Sequence, residues 1–153
     1  MRTRAIQILV VGGLVALAIV LRKPARRLPE TPEDAINAFF DAATRGDDEA
    51  YLALVDGELR ESLRNTRSQV GAEAFRRDLR KSVSGIKGLA VARSDAAPSG
   101  QVALDVEIVF ADRKERQQVL VSHQAGRGWI ITAIGPAEAT KPAIPYGTPV
   151  FEE

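Results

Sequence analysis

The spacing of apolar residues changes period near residue 85, and this change constrains the fold more than any other feature of the 153-residue chain. Before it, apolar side chains recur every three or four residues, as in AEAFRRDLRKSVSGI (72–86), which is typical of amphipathic helices. After it, apolar and polar side chains alternate, most clearly in QVALDVEIVF (101–110), which is typical of half-buried strands. A block of helices followed by a block of strands predicts an α+β fold.

The helical half is predicted to hold three or four helices within residues 32–86. Its start, TPEDAINAFFDAATRGDDEAYLALVD (31–56), places Thr31 as an N-cap before an apolar stripe. Gly46 follows the last turn, where a left-handed residue ends many helices. Asp47 or Asp48 can then cap the next helix. The Arg-Gly-Asp-Asp run is therefore one helix end joined directly to one helix start.

The second half is predicted to form a curved antiparallel sheet of three or four strands. GLAVARSDAA (88–97), QVALDVEIVF, QQVLVSHQ (117–124) and WIITAIG (129–135) are separated by short turns, including the charged ADRKER (111–116). Parallel strands would need crossovers of a dozen or more residues, so neighbours in sequence pair antiparallel. From residue 136 on, repeated prolines and an acidic end predict a mostly irregular tail, 136–153.

The N-terminal segment AIQILVVGGLVALAIVL (5–21) has no charged residue and lies between basic residues. A helix of this length reaches about 25 Å, near the lower limit for crossing a bilayer. We predict an uncleaved transmembrane anchor, residues 1–22, which binds the lipid bilayer through 5–21. A cleaved signal peptide and a buried soluble helix stay open as alternatives, although the Ala-x-Ala at 16–18 lies inside the apolar run. Residues 23–30, rich in Pro and basic side chains, are predicted to be a linker.

Composition excludes several classes of function. Six basic residues precede position 28 and all acidic residues follow it, so the globular part is acidic overall, which argues against a nucleic-acid partner. The chain has no cysteine, which excludes disulfides and thiolate metal sites. A single histidine makes a transition-metal site implausible, and no cofactor is predicted.

Basic side chains are dense along the predicted helices, at Arg60, Arg64, Arg67, Arg76, Arg77, Arg80 and Lys81. A solvated helix face explains this density in the simplest way. The alternative is contact with anionic lipid head groups near the anchor.

The capped helix with paired Phe, the Gly-Asp junction and the closing GWIITAIG strand resemble the nuclear transport factor 2-like superfamily, over residues 31–135. The resemblance implies a cone-shaped α+β fold, in which the first two helices close the wide side of a strongly curved sheet. Catalytic members, the ketosteroid isomerases and polyketide cyclases, use a carboxylate base in the cone cavity, often aided by Tyr or His. Bacterial members with one N-terminal apolar segment place the domain outside the cytoplasm.

The candidate site residues are those that the cone cavity would need. Asp105, Glu107 and His123 are weak catalytic candidates, and the pocket candidates are Phe40, Tyr51, Phe75 and Trp129. Asp105 and Glu107 alternate with five large apolar residues, so we expect both carboxylates to face solvent. His123 is expected to be a partly buried, hydrogen-bonded residue at a strand end. Tyr51 and Trp129 are expected to pack with their polar atoms paired.

The favoured function is a membrane-anchored, non-catalytic binding or assembly module with its domain outside the cytoplasm. The alternative is a small-molecule isomerase or cyclase that uses a carboxylate or His123 in the cavity. A structural partner in a larger envelope complex is a third possibility. The partners expected are a small apolar ligand, an envelope protein, or a second copy bound through the sheet face.

Overall fold

The computed structural model describes residues 27–141, over which four helices precede five strands. The helices are α1 Pro32–Arg45, α2 Asp48–Ala53, α3 Gly57–Val70 and α4 Ala72–Val83. The strands are β1 Gly88–Ser94, β2 Gln101–Val109, β3 Lys114–Gln124, β4 Gly128–Ile134 and β5 Glu138–Thr140. The predicted α+β class is confirmed, as are the helices-first order and the antiparallel sheet.

The capping residues predicted for α1 and for the start of α2 are confirmed. Thr31 Oγ1 accepts a 3.1 Å hydrogen bond from the backbone N–H of Asp34 at the start of α1. Gly46 ends α1 with φ 64°, in the left-handed region that favours glycine. The Asp47 carboxylate accepts from the N–H of Ala50 at 2.9 Å. Asp47 is therefore the cap of α2, and Asp48 is free for another role.

The sheet has the order β1-β2-β3-β4, and every pairing between its strands is antiparallel. β3 is longer than predicted, because Lys114–Arg116, assigned to a turn from their charge, pair with Glu107–Val109 of β2. β5 also pairs with these same β3 residues. β5 lies in the segment from 136 that was predicted to be irregular; the rest of that tail, 142–153, lies outside the described residues.

One apolar core joins the helical layer to one face of the sheet. Leu104 and Val106 of β2 are completely buried, and they belong to one contact cluster with Ile36 and Phe39 of α1. Val55, which follows α2, is also fully buried and forms a bridge with Ile131 of β4. Since side chains alternate along a strand, the residues between these core positions lie on the opposite face of the sheet.

The chain before α1 is part of the fold. Leu28 is buried, its N–H donates to the carbonyl of Arg127, and the N–H of Trp129 donates to the carbonyl of Pro29 at 2.8 Å. Gly128 has φ 117°, and a Cβ there would lie 2.5 Å from the Pro29 carbonyl oxygen. The predicted linker 23–30 therefore ends before Leu28, because an apolar side chain and two backbone hydrogen bonds hold this segment against β4.

Within residues 27–141, no helix has the length and apolar character needed to cross a membrane. The predicted anchor 1–22 and residues 23–26 of the predicted linker lie outside the described residues.

Candidate functional site

The two candidate carboxylates of β2 lie on the sheet face opposite the helical layer, since Leu104, Val106 and Ile108 take the core face. Glu107 accepts hydrogen bonds from Lys114 Nζ at 3.1 Å and Arg116 Nη2 at 3.2 Å. The hydrogen bond from Lys114, followed by that from Arg116, lowers the pKa of Glu107.

Glu107 also lines a cavity of about 280 Å³ beside β5, together with Lys114, Arg116, Glu138 and Thr140. Both signs of charge line this cavity. A catalytic base in an apolar pocket needs a raised pKa, whereas Glu107 has a lowered one. Glu107 is therefore an ion-pair partner of Lys114 and Arg116 rather than a base with a raised pKa.

His123 lies at the end of the β3–β4 hairpin, where it pairs with Trp129 across the strands. Its side chain is exposed, and its ring packs edge-on against Trp129 with 5.3 Å between ring centres. It forms no hydrogen bond with another residue of 27–141, so the prediction of a partly buried, hydrogen-bonded histidine is wrong. The turn that follows His123, residues 125–127, is exposed as well.

Three of the four pocket candidates belong to one row of aromatic rings in the helical layer. Tyr51 stacks on Phe39 with 4.1 Å between ring centres, and it meets Phe75 edge-on at 6.4 Å. Phe40 meets Phe39 edge-on at 6.1 Å. Trp129 lies apart, against His123. The rings of Phe39, Phe40, Tyr51 and Phe75 thus pack against one another across α1, α2 and α4.

The Tyr51 hydroxyl forms no hydrogen bond with any residue of 27–141, contrary to the expectation that it is paired. The same holds for the indole N–H of Trp129. Burial raises the pKa of Tyr51 to about 12. A phenol with a raised pKa donates its proton less readily at neutral pH, so Tyr51 is a poor general acid.

Asp48 is the one charged residue among the described residues that the fold buries, with 2% of its surface exposed. Arg76 Nε of α4 donates to its Oδ1 at 2.8 Å, and Arg67 Nε of α3 lies 2.7 Å from its Oδ2. This contact with Oδ2 is an ion pair without hydrogen-bond alignment. Burial raises the pKa of Asp48, but the Arg76 hydrogen bond and the charges of Arg67 and Arg76 outweigh burial and lower it overall.

Two cavities are lined in part by residues of α2. The first, about 290 Å³, is lined by Glu49, Leu52, Ala53, Arg60, Arg64 and Arg67. The second, about 210 Å³, has a mostly apolar lining, formed by Leu28, Pro29, Ala38, Ala50, Ala53 and Leu54 together with Arg27, Asp41 and Arg45. Ala53, the last residue of α2, is the one residue of 27–141 common to the two linings.

Comparison of the chain with protein-family models, with curated proteins and with solved structures gives no match. Within residues 27–141, no group of three or more His, Asp or Glu side chains is arranged to hold a metal ion.

The cluster around Asp48 is hard to predict from the sequence. Asp48 is one of two adjacent acids at a helix start, and either was a reasonable cap. Its burial depends on arginines of α3 and α4 that converge only when three helices pack. The one local signal is the spacing of Arg60, Arg64 and Arg67, which places them along one face of α3.

Proposed function

We propose that this chain is a single-pass membrane protein whose residues 31–135 form a non-catalytic binding module of the nuclear transport factor 2-like superfamily. The observation that carries the proposal is the apolar core that the helices and the sheet share. Core-facing side chains of both layers belong to one buried apolar cluster. Asp105, Glu107 and His123 all lie outside it.

The order of the elements supports the superfamily assignment. A capped helix, a tight Gly-Asp junction and a short second helix come first, and an antiparallel meander follows. The uncharged run at 5–21 supports the anchor. The resemblance to bacterial members supports a domain outside the cytoplasm.

A turnover assay tests the non-catalytic part of the proposal. The full-length chain in detergent is mixed with a β,γ-unsaturated ketone, and conjugation of the double bond is followed by absorbance. We expect no rate above that of buffer, because no candidate base lies in the core. Turnover that disappears in the triple variant Asp105→Asn, Glu107→Gln, His123→Gln would instead establish the isomerase alternative.

Membrane attachment is tested separately by fractionation. We expect the full-length chain to stay with membranes after a high-salt wash, because an apolar helix is not released by ionic strength. A reporter fused at the C-terminus should be active only outside the cytoplasm. Recovery of the chain in the washed soluble fraction would contradict the anchor.

Assembly through the sheet face is the proposed mode of self-association. Ala92 is exposed and pairs with Asp105, so it lies on the face away from the helices. Because the chain has no native cysteine, Ala92→Cys introduces a single thiol. We expect mild oxidation to give a disulfide-linked dimer, whereas Ser68→Cys on exposed α3 should stay monomeric.

A further inference from the structure

We infer that the two cavities beside α2 form one site for an anionic amphiphile, a molecule with a phosphate-type head and an apolar tail. The inference gives the proposed module a ligand class, and it rests on that proposed function. The arginine-lined cavity would take the head, and the apolar cavity would take part of the tail. Ala53 is the residue at which head and tail would meet.

Two of the three arginines at the head end are already held in position. Arg60 Nε donates to the carbonyl of Leu52 at 3.2 Å, and only 23% of the Arg60 side chain is exposed. Arg67 is paired with buried Asp48, and 33% of its side chain is exposed. A ligand therefore loses little binding energy in ordering these side chains.

Arg64 lies between them, one helical turn after Arg60. Its side chain is exposed, and it forms no ion pair with a residue of 27–141. A planar guanidinium matches the geometry of phosphate oxygens and donates two parallel hydrogen bonds to them. Arg64 is therefore the group that a bound phosphate would recruit.

The charges around the head end leave a small positive excess. Asp48 neutralises part of the charge of Arg67 and Arg76, while Asp56 lies 3.5 Å from Arg60 Nη1. Glu49 also lines the cavity. The three arginines that line the cavity exceed its lining acid Glu49 by two charges, and the ion pairs with Asp48 and Asp56 reduce this excess. A bare anion should therefore bind weakly, and a tail should add affinity.

The tail end distinguishes an amphiphile from a free anion. Six of the nine residues that line this cavity are apolar. The other three are Arg27, Asp41 and Arg45, of which Asp41 and Arg45 neutralise each other as an ion pair. Inorganic phosphate gains nothing from such a surface, whereas burial of a methylene group contributes about 0.8 kcal/mol.

The proposed anchor places the site near a source of such molecules. Leu28, which lines the apolar cavity, is separated from the end of the uncharged run at Leu21 by residues 22–27. Fully extended, six residues span about 20 Å. The apolar cavity would then lie within reach of the bilayer surface, where anionic lipids are found.

Isothermal titration of the full-length chain in phosphatidylcholine nanodiscs tests the inference. The probe is dihexanoyl phosphatidic acid below its micelle concentration, with protein-free nanodiscs as the blank. We expect saturable binding that Arg64→Gln weakens at least about tenfold, the loss of roughly one charged hydrogen bond. Arg77→Gln, an exposed arginine of α4 outside both cavities, should leave binding unchanged.

A second variant and a second probe separate the head from the tail. Ala53→Phe fills the junction of the two cavities and should weaken binding of the lipid more than binding of inorganic phosphate. Circular dichroism of each variant checks folding, and Arg64→Gln carries the test if Ala53→Phe does not fold.

Three outcomes would overturn the inference. These are no saturable binding, equal binding by wild type and Arg64→Gln, or inorganic phosphate binding as tightly as the lipid. Failure of the proposed function would show differently, as ketone turnover or as release of the chain from washed membranes. Neither result depends on the titration.

Discussion

Arg67 Nε lies 2.7 Å from the buried Oδ2 of Asp48, although the two residues belong to different helices. With the hydrogen bond from Arg76, this contact ties α2 to α3 and to α4 around one carboxylate. α2 has only six residues, too few to be stable as an isolated helix. Its position, and that of both cavities beside it, therefore depends on the cluster around Asp48.

Asp48→Asn should lower the free energy of unfolding by about 2 kcal/mol, because the amide keeps the shape but leaves Arg67 facing an N–H₂ group. Asp41→Asn is the matched control. It removes an exposed partner of Arg45, with more than half of each side chain exposed, and should cost less than about 0.5 kcal/mol. Urea denaturation of the full-length chain measures both. Equal effects would mean that burial of Asp48 adds nothing.

The same cluster predicts how stability depends on pH. The pKa of Asp48 in the folded state lies below its ordinary value of 3.8. Ionised Asp48 therefore contributes fully to the free energy of unfolding above about pH 4 to 5. This contribution is lost as the pH falls through the pKa of Asp48 in the folded state. Glu33 and Glu107 also have lowered pKa values and act in the same direction.

The difference between wild type and Asp48→Asn isolates the Asp48 contribution from those of the other acids. We expect the difference in unfolding free energy to be constant from pH 6 to pH 5 and to shrink below about pH 4. A difference that stays constant down to pH 2 would contradict the lowered pKa.

Tyr51 should govern stability at the alkaline end. Its pKa is about 12 in the fold against 10.0 ordinarily, so the unfolded chain loses this proton first. The protonated Tyr51 hydroxyl therefore contributes fully to the free energy of unfolding below pH 10, and this contribution is lost as the pH rises towards 12. Tyr51→Phe should change stability by less than about 1 kcal/mol at pH 7, since its hydroxyl has no partner among residues 27–141.

The measurement is an absorbance titration of tyrosinate in a Tyr146→Phe background, which leaves Tyr51 as the single tyrosine. Titration near pH 10 in the folded protein would show that the ring is more accessible than the stacking on Phe39 implies.

Gly128→Ala should cost at least about 2 kcal/mol, because φ 117° strains an alanine and its Cβ would collide with the carbonyls of Leu28 and Pro29. Gly126→Ala, in the same hairpin turn, has φ 72° and no atom near the added Cβ. It should cost about 1 kcal/mol, the backbone strain alone. Thermal denaturation of both variants gives the cost of displacing the Leu28 segment. Equal shifts would mean that this segment moves aside freely.

The features that sequence predicts well are those with a local cause. The apolar stripe of α1, its Thr31 cap and its Gly46 end are all determined by neighbouring residues, 31–46. So is the alternation along β2. The face of Asp105 and Glu107 also follows from alternation with Leu104 and Val106.

The features that sequence misses need a partner distant in the chain. Lys114–Arg116 have the composition of a turn, yet they form a strand because β2 and β5 pair on either side. Leu28 has the setting of a linker, yet it is buried: its N–H donates to the carbonyl of Arg127, and the carbonyl of Pro29 accepts from the N–H of Trp129. The basic and apolar cavities likewise form only when α2 is packed between α1 and α3.

β3 also separates the two ends of the described chain. The Leu28–Pro29 segment meets β4 beside the C-terminal end of β3, while Thr140 pairs with Lys114 at its N-terminal end. Eleven extended residues make this distance about 33 Å. A protein fused after Lys141 would therefore begin at the end of the domain far from the Leu28–Pro29 segment, which makes Lys141 the better place for an affinity tag that must leave the cavity beside that segment undisturbed.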